Sequence, residues 1–381
     1  MAGKEKLEKL RLEIDDIDAH MIELFTRRMQ IADDIAVVKR DNNISLINYE
    51  REGKVVENAI KSAYEDITGE AVTFVRSVMA LSKSRQRRKI YGSGEEYYFP
   101  QPREPLTGDI KVAYKGNRGG WCETAARNFF SGAEFNSLLN YEGVFSAVRD
   151  KTASYGVVPI ENSQTGGVGE VHDLLRKYGC YIVGQTWVDR QYCLMASKGA
   201  DIQDIRVAYS HPKAFDECEK FMKGRPWEQI PCGDAATAAQ QVTAKADNKY
   251  AAIGPVRAAE VNGLAVLVPE IDSNTRERIR YILIADTPEY NSECDTVSII
   301  FRTAHRSGAL VDTLFPFMSE NVNMKRLESR PMQDGKYCFF CDMEGNIKDR
   351  DISVALASAA ASSGYLEILG CYKDSTETRY V

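Results

Sequence analysis

What most constrains this chain is an apolar seam close to its N-terminus. Leu7, Leu10, Ile14, Ile17, Met21 and Leu24 recur in alternating steps of three and four, and Ile31, Ile35 and Val38 carry the pattern on. A heptad seam of about 30 residues specifies one helix, and at about 1.5 Å per residue that rod is about 50 Å long. Such a rod cannot bury its stripe inside a domain of its own size. Two shorter helical stretches, 51–64 and 70–89, supply part of the cover, and a second copy of the chain is expected to supply the rest. The seam breaks once, at Arg28, where an aliphatic residue is due.

The whole chain of 381 residues is too long for one ordinary core and calls for two or three domains. Its 44% hydrophobic and 27% charged residues are the balance of a globular protein. A net charge of -6 gives no reason to expect nucleic acid, and the one basic run, 83–89, reads as the end of a solvated helix. The first residues alternate charge with apolar side chains, which is not the core of a secretory signal. No stretch approaches the roughly 18 apolar residues that span a bilayer, so the expected location is cytoplasmic, with no membrane partner. Nine cysteines are then expected to stay reduced. Cys338 and Cys341 have CxxC spacing but sit in a strand pattern, where residues three apart face opposite sides, so no metal site is read there.

Residues 91–108, rich in proline and glycine, read as a linker. Beyond them short apolar strands (110–114, 155–159, 205–209, 250–253) alternate with helical stretches (123–130, 169–178, 214–222, 235–246). That alternation predicts an α/β domain with a largely parallel sheet over 109–286. The last segment, 295–375, reads strand, helix (309–320), strand pair, helix (352–363), strand, which is the α+β ferredoxin-like βαββαβ order. The chain is therefore multidomain: all-α helices, then α/β, then α+β.

Arg28 and Lys39 are eleven positions apart, so on one helix they share a face and lie about 16 Å apart along the axis. Two long side chains there can converge on one small molecule. Arg11 is about 25 Å from Arg28 on the same rod and can join them only from another protomer's antiparallel helix. Surface snorkelling is the plain alternative for any one cation. For Arg28, a buried ion pair with Asp33 or Glu52 is the other. Arg11, Glu13-Ile14-Asp15, Asp18, Arg27-Arg28, Lys39, Arg51-Glu52 and Ser82-xxx-Gln86 resemble the all-helical chorismate mutases over residues 1–90. The resemblance implies that the partner's Arg11, with Arg28 and Arg51, holds the carboxylates of chorismate. It implies that Lys39 and Gln86 donate to the ether oxygen, that Glu52 accepts from the ring hydroxyl, and that Ser82 contacts a carboxylate. The rearrangement to prephenate moves no proton. It is served by holding a dianion in its compact conformer among fixed donors, with no cofactor. Asn48 departs from the family pattern by replacing an Asp four residues before Glu52.

In the middle segment, Glu161-Asn162-Ser163 and then Gly167 follow an apolar strand, and Ser210-His211-Pro212 follows another. Ligands bind at such strand ends in open α/β sheets, although a lone Asn or Ser there also serves as a turn or helix cap. Together the motifs resemble the prephenate dehydratases, which implies a two-lobed, periplasmic-binding-protein-like domain. In such enzymes carbon dioxide and hydroxide leave prephenate, and these motifs line the cleft. The family's Thr-Arg-Phe motif supplies an essential hydroxyl. Here the region reads Asn274-Thr275-Arg276-Glu277-Arg278-Ile279-Arg280-Tyr281. Aligning by the following strand puts Ile279 at the threonine position; aligning by Thr275-Arg276 keeps a hydroxyl at Thr275, which is the assignment preferred here. A second departure is Gly119-Gly120-Trp121-Cys122-Glu123, where the family has a Gly-Ala-Tyr-Ser-like stretch.

At the C-terminus, Gly308-Ala309-Leu310 and Glu328-Ser329-Arg330-Pro331, with Gly370-Cys371-Tyr372, resemble the phenylalanine-binding ACT domain. A glycine at a helix start lets a ligand carboxylate approach free N–H groups; a strand-end salt bridge and turn is the alternative reading of Glu-Ser-Arg-Pro. The expected protein is a bifunctional mutase and dehydratase, homodimeric or homotetrameric, with chorismate and prephenate as substrates and phenylalanine as inhibitor. The competing expectation is a monofunctional mutase whose other domains only bind ligands and regulate.

Overall fold

The structure is a computed structural model and describes residues 2–45, 48–90, 99–273, 277–332 and 336–374. One compact unit takes its described residues from Met1–Phe99 and Ile300–Glu367, the other from Pro100–Ile299 and Ile368–Val381. Among the described residues no helix is long and apolar enough to cross a membrane.

In the first unit, α1 (Ala2–Asp41) is one unbroken rod of 40 residues. It is followed by α2 (Tyr49–Ser62), which opens on Asn48, and by α3 (Thr68–Ile90). The Asn48 side-chain oxygen accepts the Arg51 N–H at 2.9 Å, satisfying a donor that the helix start leaves open. The helices bury Met29, Ala32, Ala36 and Met79. The three on α1, Met29, Ala32 and Ala36, lie on a stripe beside the heptad seam rather than on it, so the short helices do not cover the seam. Leu7, Leu10, Ile14, Ile17, Met21, Leu24, Ile31, Ile35 and Val38 all stay between 42% and 67% exposed.

The second unit has two lobes. The first contains β1 (Lys111–Lys115), α4 (Trp121–Phe129), β2 (Glu134–Leu138), α5 (Tyr141–Arg149), β3 (Tyr155–Asn162), β4 (Gly166–Gly167), α6 (Gly169–Tyr178) and β5 (Tyr181–Asp189). The second contains β6 (Cys193–Ala196), β7 (Val207–Ser210), α7 (Pro212–Glu217), α8 (Glu219–Met222), β8 (Glu228–Pro231), α9 (Ala235–Lys245), β9 (Tyr250–Gly254), α10 (Val256–Asn262) and β10 (Ala265–Val268). The chain then returns to the first lobe as β11 (Arg278–Ala285). The strand orders are β5-β11-β3-β1-β2, with β4 on β3, and β10-β6-β9-β7-β8.

The sheets are mixed rather than largely parallel. β1 runs parallel to β2 and β3, and β7 to β8 and β9. The returning β11 is antiparallel to β3 and β5, and β6 is antiparallel to β9 and β10. A chain that leaves a lobe and comes back inserts its last strand against the grain. The helix expected over 214–222 is also two: it breaks at the fully buried Cys218, whose backbone (φ -102°, ψ 15°) is not helical. Part of the expected linker is fastened down. Arg103 donates to Glu289 at 3.0 Å and to Asp286 at 2.8 Å, and the Leu106 N–H reaches the Tyr155 hydroxyl at 3.0 Å.

The remaining elements are β12 (Thr296–Arg302), α11 (Ala309–Ser319), β13 (Met324–Pro331), β14 (Tyr337–Glu344), α12 (Arg350–Ser362) and β15 (Tyr365–Tyr372), with strand order β13-β14-β12-β15. In the first unit α11 and α12 both pack on α3. Glu320, just past α11, has a fully buried side chain that pairs with Arg88 and accepts from Ser84. Cys338 and Cys341 are both buried in β14, and burial pushes the Cys341 thiol up to about 12. In the second unit Gly370 of β15 pairs with Ile182 of β5, so close that a Cβ would overlap the Ile182 carbonyl oxygen. Gly370→Ala is expected to cost about 1–3 kcal/mol, since backbone cannot retreat as a side chain can; a lowered urea midpoint would register it.

Candidate active sites

The helical site is built on α1, α2 and α3. Arg28 lies half-buried, and its guanidinium donates to the Ser82 hydroxyl of α3 and to the Val78 carbonyl at 3.2 Å. Neither acid proposed for it takes that role: Asp33 is held by Arg85 at 2.6 Å, and Glu52 by Lys83 at 3.3 Å. The seam cation is thus met by neutral acceptors. Burial lowers its pKa, yet a guanidinium stays charged, so Arg28 offers positive charge to an anion. Lys39 is also lowered by burial, with the charge of Glu52 acting the other way, which places those two side chains in one neighbourhood. Gln86 is 8% exposed, and among the described residues its Oε1 has no hydrogen-bond partner. A buried amide oxygen without a partner is costly and marks a place that a ligand or water completes. Arg51 is exposed at the start of α2. Arg11 is far from all of these, 61% exposed and paired with Glu8 at 2.8 Å. One chain therefore brings together Arg28 with Ser82, and Lys39 with Glu52, and leaves Arg11 outside.

In the second unit, Glu161 pairs with Arg280 at 3.2 Å. The Asn162 side chain is engaged at both ends. Its oxygen accepts from the Gln164 and Thr165 backbones at 2.9 and 3.3 Å, and its amide donates to Glu277 at 2.5 Å. Ser163 accepts from the Arg278 N–H at 2.9 Å, and Gly167 pairs with Glu161 across β3 and β4. His211 caps α7, accepting from the Lys213 N–H at 3.2 Å, and is exposed beyond that. Ser210 is fully buried and donates to the Ile253 carbonyl at 2.8 Å, so a direct contact with substrate does not fit its position. Thr275 and Arg276 lie outside the described residues. Ile279 sits opposite Asn162 and Val188 and packs on the first lobe's core.

Sequence motifs passed over the busiest group here. Glu277 is 2% exposed and is held by Asn162, by Lys213 at 2.8 Å and by Arg190 at 2.5 Å. Burial opposes its charge, but the hydrogen bonds from Lys213 and Asn162 and the charges of Arg190 and Lys213 hold it below the usual carboxylate range. The one signal in sequence was an acid set among arginines, Arg276-Glu277-Arg278-Ile279-Arg280.

With this geometry in place, comparison with known proteins sorts the two sites. The family Chorismate mutase type II matches residues 10–87, and the family Prephenate dehydratase matches residues 112–289. The bifunctional chorismate mutase/prephenate dehydratase of Enterobacter agglomerans is 26% identical over 374 residues, covering 95% of each chain. The chain belongs to the bifunctional chorismate mutase/prephenate dehydratases. A crystal structure of a prephenate dehydratase in complex with L-Phe, from Arthrobacter aurescens, shares 28% identity over 69% of this chain and 90% of that one, with a TM-score of 0.61. A structure titled GqqA, a novel type of quorum quenching acylase, has a TM-score of 0.65 and 27% identity over 70% of this chain and 98% of that one. An acylase and a dehydratase on one scaffold show that the chemistry rests on the side chains in the site.

In this mutase/dehydratase the C-terminal motifs stand apart. Gly308 has φ 77° and caps α11, a position that suits glycine, and the bend from Thr303 to Val311 lines an open surface pocket of about 380 Å³. Ala309 and Leu310 form the first turn beside it. Glu328, Ser329, Arg330 and Pro331 end β13, where Glu328 pairs with Arg326 on its own strand. The Arg330 Nε is buried and has no hydrogen-bond partner among the described residues.

Proposed function

We propose that this chain converts chorismate to prephenate on its helices (1–90) and prephenate to phenylpyruvate in its two-lobed domain (109–286). In this reading 91–108 connects them, and a C-terminal ACT segment (295–375) binds phenylalanine as inhibitor. The observation that carries the first activity is Arg28, a charged, desolvated donor on an apolar seam beside Ser82 and the incomplete Gln86. With Lys39, Glu52 and Arg51 it forms the fixed polar cage that a rearrangement without proton transfer needs. Arg11 enters from a second copy, whose helix would also cover the exposed seam. For the second activity, Glu161, Asn162, Ser163, Gly167, Ser210 and His211 frame the cleft and Thr275-Arg276 supplies the hydroxyl and a cation. Ser210 and Asn162 act there by holding backbone rather than by touching substrate. For the third, the βαββαβ order, the glycine-capped pocket and the L-Phe complex of the Arthrobacter aurescens relative support an effector at Gly308-Ala309-Leu310 and Glu328-Ser329-Arg330-Pro331.

Ile279 favours a second reading, in which the dehydratase chemistry is lost and the later domains only regulate. Supplying chorismate to pure protein separates the two. Phenylpyruvate formed without acid treatment is the expected result, and prephenate that accumulates and persists would leave only the mutase. Thr275→Ala is expected to lower phenylpyruvate formation at least tenfold while mutase turnover holds; unchanged turnover removes Thr275 from the site.

A further inference from the structure

Two segments cross between the lobes of the dehydratase domain, one just after β5 and one just before β11. They lie side by side: the Arg190 N–H donates to the Glu277 carbonyl at 2.8 Å, and the Ile271 N–H to the Tyr192 carbonyl at 2.9 Å. We infer that Glu277 is a positioning residue for dehydration, a single carboxylate that clasps both lobes and both crossovers and so sets the spacing of the two cleft motifs. The inference rests on the dehydratase reading and adds to it a residue to which no motif assigns a role.

The three donors to Glu277 come from three places. Asn162 ends β3 in the first lobe, Lys213 is in the first turn of α7 in the second, and Arg190 is in the other crossover. Asn162 is the middle of Glu161-Asn162-Ser163, and Lys213 directly follows Ser210-His211-Pro212, so this carboxylate holds one motif by its own residue and the other by its next neighbour in the chain. Glu217 closes the group, 3.4 Å from Lys213 and 3.9 Å from Arg190, and the two acids and two cations cancel. Arg190 also lies over the Trp121 ring at 5.8 Å, and Trp121 packs on the cores of both lobes. A carboxylate accepts all three donors at once. An amide of the same shape has one acceptor oxygen and turns an N–H towards a cation, so the clasp depends on charge and not on volume.

Glu277→Gln is expected to lower dehydratase kcat/KM tenfold or more, chiefly through KM, because two lobes held at the wrong spacing bind prephenate poorly. Mutase turnover in the same chain should stay within twofold, which reports that the variant folds. Glu277→Asp, which keeps the charge on a shorter stem, should recover part of the loss. Lys213→Met should overlap with Glu277→Gln, so that the double variant loses less than the product of the two single losses. Wild-type kcat and KM in Glu277→Gln, or single losses that multiply, would overturn the inference. If wild-type protein forms no phenylpyruvate, the functional reading fails and the clasp is read by binding. Calorimetric titration with prephenate, in an Arg28→Ala background that silences the mutase site, should then show at least tenfold weaker binding for Glu277→Gln. Equal affinities, or no prephenate binding by either protein, would overturn it.

Discussion

Mixing Arg11→Ala chains with Arg28→Ala chains is expected to restore about a quarter of wild-type mutase activity from two preparations that are each nearly inactive. Arg28→Ala alone should lower mutase kcat/KM by about 10²–10³, the loss seen when one preorganised donor to developing or fixed charge is removed. Arg11→Ala should match it, even though Arg11 is 61% exposed and, within its own chain, pairs with Glu8. The quarter follows from counting. After random exchange about half of the dimers are mixed, and in a mixed dimer one of the two pockets combines an intact Arg28 with an intact Arg11. No recovery after demonstrated exchange would mean that one chain builds the whole pocket, and so would full-rate turnover by a strictly monomeric protein. The expectation comes from the rod: at about 1.5 Å per residue, Arg11 is about 25 Å from Arg28, beyond the reach of two side chains of one chain that, in the proposed pocket, hold one small dianion.

That distance was legible in the sequence because helices are local. The heptad steps from Leu7 to Val38 set the length of α1, and the misfit of one cation among aliphatics picked out Arg28. Which acceptor meets Arg28 was not legible, since Ser82 is 54 positions away and no periodicity reports it. Glu277 shows the same limit more strongly, with partners 115, 64 and 87 positions distant on three different elements. Strand direction was hidden for a related reason. The apolar pattern of Ile282, Leu283 and Ile284 is that of a buried strand in either orientation, and only the return of the chain from the second lobe makes β11 antiparallel. Proline and glycine marked 91–108 as a connection. What they do not encode is Arg103, which finds Glu289 and Asp286 at separations of 186 and 183 and fastens part of that segment to the fold.

Arg88→Ala is expected to destabilise the first unit by about 3 kcal/mol, read as a lowered urea midpoint, and to do so more than Glu320→Ala does. The two side chains form one pair, but they stand in different surroundings. Glu320 has no exposed side-chain surface, whereas the Arg88 side chain is 42% exposed. Removing Arg88 leaves a carboxylate in the interior with the Ser84 hydroxyl as its remaining partner, and the desolvation of that charge is no longer offset. Removing Glu320 frees an arginine that can turn into water, so that loss should be about 1 kcal/mol, mostly the Ser84 hydrogen bond and lost packing. The asymmetry is the test: equal losses would mean that the pair is solvated in solution and that α11 does not grip α3 there. The consequence reaches the mutase pocket, because Ser82 and Gln86 lie on the same turns of α3 as Ser84 and Arg88. A loosened α3 lets Arg28 lose its acceptor, so mutase KM should rise in Arg88→Ala while the dehydratase, in the other unit, keeps its turnover.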